Sequence, residues 1–148
     1  MSAPRKSDWD KLKRLGRYLL NKARYVTTYL YKEKVKTLEV WVDSDHAGCQ
    51  KTRKSTSAGV MILGACTIKT WSCTQGVVAI SSGEVELYTI VKGGQQALGM
   101  QSLLADLGVE VGIQLYTDAS AAQGMVKRKG VGKVKHIEVN QLWIQDYV

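Results

Sequence analysis

The spacing of apolar and polar residues divides the chain into segments with different periods. In residues 38–43, LEVWVD, Leu and Val alternate with Glu, Trp and Asp, which is the two-residue period of a β-strand. Residues 58–63 and 67–73 have the composition of two further strands, joined at Gly64 and Ala65. A short connection of this kind predicts a β-hairpin. The first three strands are therefore expected to form an antiparallel meander.

After the third strand the period becomes helical. From Ser81 apolar residues recur at helical spacing until Gly108, a residue typical of helix C-termini. Residues 113–117, IQLYT, predict a fourth strand, and the small residues after Asp118 begin another helix. Because a strand that follows a long helix returns by a crossover, the fourth strand can pair in parallel with the first. An amphipathic closing helix is predicted from Ile137 onwards.

A separate amphipathic helix is predicted at residues 8–20, with Ser7 as its N-cap. Its apolar stripe consists of Trp9, Leu12, Leu15 and Leu19. A stripe of this kind usually docks on protein. Residues 25–31 are rich in β-forming side chains, and the charged run after them separates this N-terminal appendage from the main domain.

Length and composition set the outer bounds. The chain has 148 residues, 45% of them apolar, which predicts one globular domain and excludes a disordered protein. No run approaches the roughly 18 apolar residues of a membrane span, and the N-terminus does not resemble a signal peptide. We therefore expect an intracellular protein without a membrane partner. Cys49, Cys66 and Cys73 are odd in number and fit no zinc-finger spacing, which favours reduced thiols.

The net charge of +8 is unevenly distributed. Residues 1–42 contain 11 Lys and Arg against 4 acids, whereas residues 43–148 contain 10 against 9. Within the second part, basic residues collect at positions 51–54 and 127–135. This pattern suits a polyanion whose phosphates are held by Lys and Arg around an acidic metal pocket. A solvated basic surface explains the charge equally well.

Two aspartates follow predicted strands. Asp43 lies at the carboxyl end of the first strand, which is the edge where open α/β sheets bind ligands. Taken alone, however, the Asp43-Ser44-Asp45 segment favours a polar turn. Asp118 follows the fourth strand in the same way, so a parallel pairing of the two strands would bring Asp43 and Asp118 together.

Two glutamates open the long helix and have different predicted roles. Ser81 and Glu84 fit the S-x-x-E capping box, which gives Glu84 a structural role. Glu86 shares its face with Ile90 and Gly93, so it is predicted to point inward, where a carboxylate needs a partner or a metal. The glycines of this helix favour close packing on the sheet.

Six motifs in order carry a resemblance to a known family. They are VDSDHAGC, TRKSTSAG, IKTWS, ISSGEVELY, LYTDASAA and KVKHIEV. At these separations they resemble the ribonuclease H domain of copia-type retrotransposon polyproteins, over residues 38–148. The earlier segment DWDKLKRLGRYLL resembles the connection between reverse transcriptase and that domain. The resemblance therefore divides the chain into a connection segment at 1–37 and a ribonuclease H-like domain at 38–148.

This resemblance implies an α/β fold of the ribonuclease H type, with a mixed sheet of an antiparallel meander plus a parallel strand and a long helix on one face. Asp43, Glu86 and Asp118 match three carboxylates that bind two Mg²⁺ ions, with Mn²⁺ as an alternative. The implied activity is endonucleolytic hydrolysis of the RNA strand of RNA–DNA hybrids during reverse transcription. The implied partners are the hybrid and the reverse-transcriptase part of the same polyprotein. The candidate substrate contacts are Arg53, Lys54, Ser55, Ser57, Lys135 and His136.

One family feature is absent from the match. Family members carry a fourth carboxylate on a helix that follows a fifth strand, and both elements would lie beyond Val148. Glu138 matches a different family position, so it is not assigned as the fourth ligand. Two functions therefore remain open: a hybrid-cleaving nuclease in the cytoplasm or a retroelement particle, and a catalytically inactive remnant that retains nucleic-acid binding or a structural role beside reverse transcriptase.

Overall fold

The computed structural model describes residues 4–22, 24, 26–29, 35–130, 137 and 139–147. Its helices are α1 (Lys6–Leu20), α2 (Ser82–Asp106), α3 (Ser120–Val126) and a C-terminal 3₁₀ helix (Val139–Tyr147). Its strands are β1 (Thr37–Asp45), β2 (Thr56–Leu63), β3 (Cys66–Thr74) and β4 (Gly112–Tyr116). Within these residues, none of the helices combines the length and the apolar character needed to cross a bilayer.

The four described strands form one mixed sheet in the order β3-β2-β1-β4. β1 pairs with β2 in antiparallel fashion and with β4 in parallel. β2 and β3 form the predicted hairpin, and Gly64 adopts a φ of 66° in its turn, where glycine is free of the Cβ penalty. The predicted α/β class, meander and parallel crossover strand are confirmed.

The core lies between the sheet and α2. Leu38, Val40 and Val42 alternate inward along β1 and are buried. Helix α2 lies close to them because Gly93 has no side chain: a Cβ there would be 2.6 Å from Val42 Cγ1. The predicted close packing is therefore confirmed at this glycine. Gly99 has nothing within 4 Å of its Cβ position, so there the same prediction is wrong.

Both ends of α2 follow their sequence signals. The Ser81 hydroxyl accepts a hydrogen bond from the Glu84 amide at 3.3 Å, which confirms the predicted N-cap. The Glu84 carboxylate accepts from the Ile80 amide at 2.7 Å and from the Tyr88 hydroxyl at 2.9 Å. Glu84 is buried and has the structural role that the capping motif predicts. The backbone amide that it binds, however, belongs to Ile80, the residue before the N-cap, and not to the N-cap residue Ser81. Gly108 ends the helix with a φ of 77°.

Helix α1 forms where its stripe predicts it, but it begins earlier. Its N-cap is Arg5, whose amide donates to the Asp8 carboxylate at 3.0 Å, so the prediction of Ser7 as N-cap is wrong. No residue of α1 is buried. The strand predicted at 25–31 is also wrong for the part that the structure describes, because residues 26–29 have no regular structure.

The C-terminal segment packs on the domain as a 3₁₀ helix in place of the predicted α-helix. Ile137 and Ile144 are buried, whereas Tyr147 is exposed. This segment packs closely against Gly94 of α2: a Cβ at that position would be only 2.6 Å from Ile144 Cδ1. This glycine therefore packs against the C-terminal helix, where the sequence favours packing on the sheet.

Candidate metal centre

The pairing of β1 with β4 brings two carboxylates to one level of the sheet. Trp41 is the partner of Tyr116 across these parallel strands, and Asp43 and Asp118 each follow two residues later. Neighbouring strands lie about 4.8 Å apart, so the two side chains emerge side by side at one end of the sheet. Both are exposed.

A third carboxylate reaches the same place from α2. Glu86 lies in the second turn of the helix and is half-buried. One ligand oxygen from each of Asp43, Glu86 and Asp118 lies within 4.8 Å of the other two. The structure thus brings together the three carboxylates that the sequence singles out.

The environment of Glu86 disfavours its charge. Its Oε2 atom is buried and has no hydrogen-bond partner. Burial raises the pKa of Glu86 above its ordinary value; the Ser44 hydroxyl lowers that pKa, and the charges of Asp118 and Asp43 raise it further. Ser44 Oγ is likewise buried and has no partner at hydrogen-bond geometry.

No basic side chain of the residues that the structure describes forms an ion pair with these carboxylates. Among the described residues the one ion pair joins Lys11 to Asp8, at 3.8 Å on helix α1. Three converging carboxylates, one with an orphaned buried oxygen, lack a counter-charge from the described protein. Hard divalent cations such as Mg²⁺ and Mn²⁺ prefer such oxygen ligands, so the residues present fit a metal centre.

Asp45 is separated from this cluster by its own contacts. Its carboxylate accepts a hydrogen bond from the Thr56 amide. A Cβ at Gly48 would collide with Asp45 Oδ2, so the loop closes tightly over that carboxylate. Asp45 therefore shapes the loop and is not one of the three converging carboxylates.

Two of the candidate substrate contacts are internal. Ser55 is buried, and its hydroxyl accepts from the Ala47 amide at 2.9 Å. Ser57 is also buried: its hydroxyl lies 2.7 Å from the Thr89 hydroxyl and accepts from Gln75 Nε2 at 2.9 Å. Both hydroxyls are therefore structural groups that join the start of β2 to the loop and to α2, and neither faces a substrate.

The basic candidate residues differ in how far their side chains are exposed and in whether they already form a hydrogen bond within the protein. Arg53 is exposed in the loop between β1 and β2, with a φ of 56°. Lys54 is half-buried, and its Nζ donates to the Gly76 carbonyl at 2.7 Å, so it is partly committed to holding the loop. Lys135 and His136 lie outside the described residues, as does Glu138.

The sequence interpretation missed an aromatic pair beside the carboxylates. The rings of Trp41 and Tyr116 stack with centroids 4.2 Å apart and planes at 14°. They line a shallow cleft of about 580 Å³ that also includes Asp43 and Asp118. The signal was present in the alternation of β1, because Trp41 occupies the same face as Glu39 and Asp43 and not the apolar face.

Comparison with known proteins places the chain near retroelement sequences. No protein-family model matches it. It is 26% identical over 147 residues, 98% of its length, to the Retrovirus-related Pol polyprotein from transposon TNT 1-94 of Nicotiana tabacum. It is 38% identical over 87 residues, 58% of its length, to an uncharacterized mitochondrial protein of Arabidopsis thaliana. The matched regions span 11% and 35% of these two relatives, respectively.

Proposed function

We propose that the chain is a ribonuclease H-like domain of a retrotransposon Pol polyprotein, and that it hydrolyses the RNA strand of RNA–DNA hybrids. The observation that carries this proposal is the convergence of Asp43, Glu86 and Asp118 within 4.8 Å. The four-stranded mixed sheet, with α2 on one face, supports it as a compatible α/β architecture. Similarity to a transposon polyprotein over 98% of the chain supports the retroelement context.

The three carboxylates would hold Mg²⁺, as two ions, or Mn²⁺. When bound, such ions supply Lewis acidity and an activated water for phosphodiester hydrolysis. Asp43 and Asp118 present exposed oxygens on the substrate side, whereas Glu86 closes the site from the protein interior. No nucleophilic side chain is needed for this reaction class, because water is the attacking group.

Basic segments lie on both sides of the carboxylates and are proposed to hold the phosphates. The loop that contains Arg53 connects β1 to β2 at the end of the sheet where Asp43 emerges. On the other side, α3 begins two residues after Asp118 and leads into Lys127, Arg128 and Lys129, all exposed. Phosphate contacts give affinity, and recognition of the RNA strand would come from its 2′-hydroxyls and helix shape.

The polyprotein context also defines the proposed surroundings. The reverse-transcriptase part of the same polyprotein is the proposed protein partner, with residues 1–37 as the connection. The proposed location is the cytoplasm or a retroelement particle. Both statements rest on the polyprotein similarity.

The decisive experiment compares labelled RNA in three forms: hybridised to DNA, paired with RNA, and single-stranded. We expect cleavage of the hybrid alone, only with Mg²⁺ or Mn²⁺, and its loss in Asp43→Asn. Asp45→Asn is the matched control, because Asp45 lies two residues away and an Asn oxygen can still accept the hydrogen bond from Thr56. Cleavage of single-stranded RNA in the absence of a divalent cation would contradict the proposal.

The same assay tests the second candidate, an inactive remnant that binds nucleic acid. The basic segments favour this candidate as much as the first, because they require no catalysis. Retention of the hybrid in a binding assay, with no cleavage at any metal concentration, would support it against the nuclease.

A further inference from the structure

A buried polar network joins the end of β3 to the first turns of α2. Its centre is Gln75, the residue that directly follows β3, and the side chain of Gln75 is buried. Gln75 Nε2 donates to the Val85 carbonyl at 3.0 Å and to the Ser57 hydroxyl at 2.9 Å. It also lies 3.3 Å from the hydroxyl of Thr89, which is buried 2.7 Å from that of Ser57. The network therefore connects β2, the end of β3 and α2 inside the protein.

The orientation of the Gln75 amide is fixed by the Val85 carbonyl, which can only accept a hydrogen bond. If the amide were rotated by half a turn, its oxygen would face that carbonyl oxygen, and two acceptors repel each other. In the observed orientation Gln75 Oε1 is buried and has no hydrogen-bond partner among the described residues, which costs free energy. The bond to α2 is thus kept although the amide oxygen is left without a partner.

Gln75 is itself held on the side of the sheet. Its backbone amide donates to the Ser55 carbonyl at 2.8 Å, and the carbonyl of the next residue, Gly76, accepts from Lys54 Nζ at 2.7 Å. Apolar contacts between α2 and the sheet are non-directional, whereas hydrogen bonds require a defined distance and angle. The Gln75 side chain, anchored at one end to the sheet and at the other to Val85, therefore restrains where α2 begins on the sheet.

Glu86 is the residue that follows Val85 in α2. Its buried Oε2 has no hydrogen-bond partner among the described residues, so the position of this oxygen depends on the backbone of the helix. The oxygens of Asp43 and Asp118, by contrast, reach the site from the sheet. Because Mg²⁺ requires near-ideal octahedral geometry, with ligands at about 2.0–2.1 Å, a small displacement of the first turns of α2 would weaken a site shared between helix and sheet.

We propose that Gln75 is a positioning residue for the metal centre: by holding the Val85 carbonyl, it sets how far Glu86 reaches toward the two aspartates. This inference rests on the metal centre of the proposed function and adds to it a residue that does not touch the metal. Because Gln75 is neutral, its replacement by Met leaves the charge of the site unchanged. A fall in metal affinity on that replacement would therefore report a change of geometry.

The test measures Mn²⁺ affinity of the full chain by calorimetry, and the unfolding of the same proteins by urea in a chelator. Gln75→Met removes the amide from a side chain of similar length. The matched control is Gln101→Met, because Gln101 Nε2 donates to the Val111 carbonyl at 2.7 Å near the other end of α2. We expect both variants to lose stability, and only Gln75→Met to bind Mn²⁺ more weakly, by about tenfold.

Coupling to Glu86 separates positioning from a general loss of structure. Gln75→Met should lower Mn²⁺ affinity in the wild type and leave it unchanged in a Glu86→Gln background, because the carboxylate through which Gln75 acts is then absent. Gln75→Asn keeps the amide on a side chain that is one methylene shorter. It should give the same two results, and it decides the question if the Met variant does not fold.

Three results would overturn the inference: unchanged Mn²⁺ affinity in Gln75→Met, an equal loss of affinity in Gln101→Met, or a loss that persists in the Glu86→Gln background. A wild type that binds no Mn²⁺ would overturn the proposed metal centre itself, and the inference with it. The two failures are therefore distinguishable from the wild-type titration alone.

Discussion

Trp41 and Tyr116 are backbone partners across β1 and β4, and their rings stack 4.2 Å apart. This contact holds the parallel register that places Asp43 beside Asp118. A slip of one residue would turn Asp43 to the opposite face of the sheet. The aromatic pair therefore supports the candidate metal centre from two residues away, without contributing a ligand.

Asp43→Asn should weaken binding of Mn²⁺ to the protein. It removes a charged ligand from a cluster of three, and loss of even an indirect supporting partner typically costs about 10–100-fold in metal affinity. We expect a loss of at least about tenfold, measured by calorimetry or by paramagnetic resonance of free Mn²⁺. Asp45→Asn should bind like the wild type, and an equal loss in both variants would contradict the assignment of Asp43.

Glu86→Gln should stabilise the metal-free protein at neutral pH. Burial, with the charges of Asp118 and Asp43, raises the pKa of Glu86 in the folded protein, so ionisation favours unfolding. Between the ordinary pKa of 4.5 and the raised value, the folded state binds more protons than the unfolded state. Wild-type stability therefore falls as the pH rises through this window and stays low above it.

Urea unfolding in a chelator, from roughly pH 4 to 8, measures this effect. The Glu86→Gln variant should lack this component of the pH dependence. Metal binding should show the reverse trend in the wild type, since Mg²⁺ competes with the proton and binds better as the pH rises. Identical stability profiles for the two proteins would show that Glu86 ionises freely.

Gly93→Ala should destabilise the fold. Its Cβ would lie 2.6 Å from Val42 Cγ1 and 3.2 Å from Leu115 Cδ1, and overpacking of this kind costs about 1–3 kcal/mol. Gly99→Ala in the same helix is the matched control, because nothing lies within 4 Å of its Cβ position. That change should stabilise the protein by up to about 1 kcal/mol. Chemical denaturation of both variants decides between steric and helix-propensity effects.

Arg53→Gln should weaken hybrid binding uniformly across sequences. Loss of one phosphate contact reduces the slope of log affinity against log salt by about 1. Fluorescence anisotropy over a salt series measures this slope. Lys69→Gln removes the same charge from β3, on the far side of β2 from the metal centre, and should leave the slope unchanged. Equal slopes in the two variants would remove the loop from the binding surface.

The spacing of apolar residues, together with the turn and capping residues between the segments, was sufficient to predict most of the fold. The alternation in β1, the glycine turn of the hairpin and the cap of α2 are local signals, and each formed where it was predicted. The convergence of Asp43 and Asp118 also followed from sequence, because a crossover connection permits only a few arrangements of the two strands.

The errors at the two serines and at two glycines of α2 arose where tertiary contacts decide. Ser55 and Ser57 look like loop residues that could contact a phosphate, but their hydroxyls are buried in internal hydrogen bonds. Gly94 and Gly99 have the same local sequence signal as Gly93, yet their neighbours differ completely. No local pattern distinguishes these cases, since each depends on what a distant segment brings against the residue.

The chain carries a net charge of +8, and the described residues contain a single ion pair, between Lys11 and Asp8. The excess positive charges repel one another in the compact state. Dissolved salt screens this repulsion, and it also weakens the binding of positively charged proteins to a polyanion. If the chain binds nucleic acid as proposed, the buffers that best preserve the purified protein are therefore those in which this binding is weakest. In the absence of salt, the nucleic acid itself would act as the missing counterion, and the protein would be most durable while it is bound.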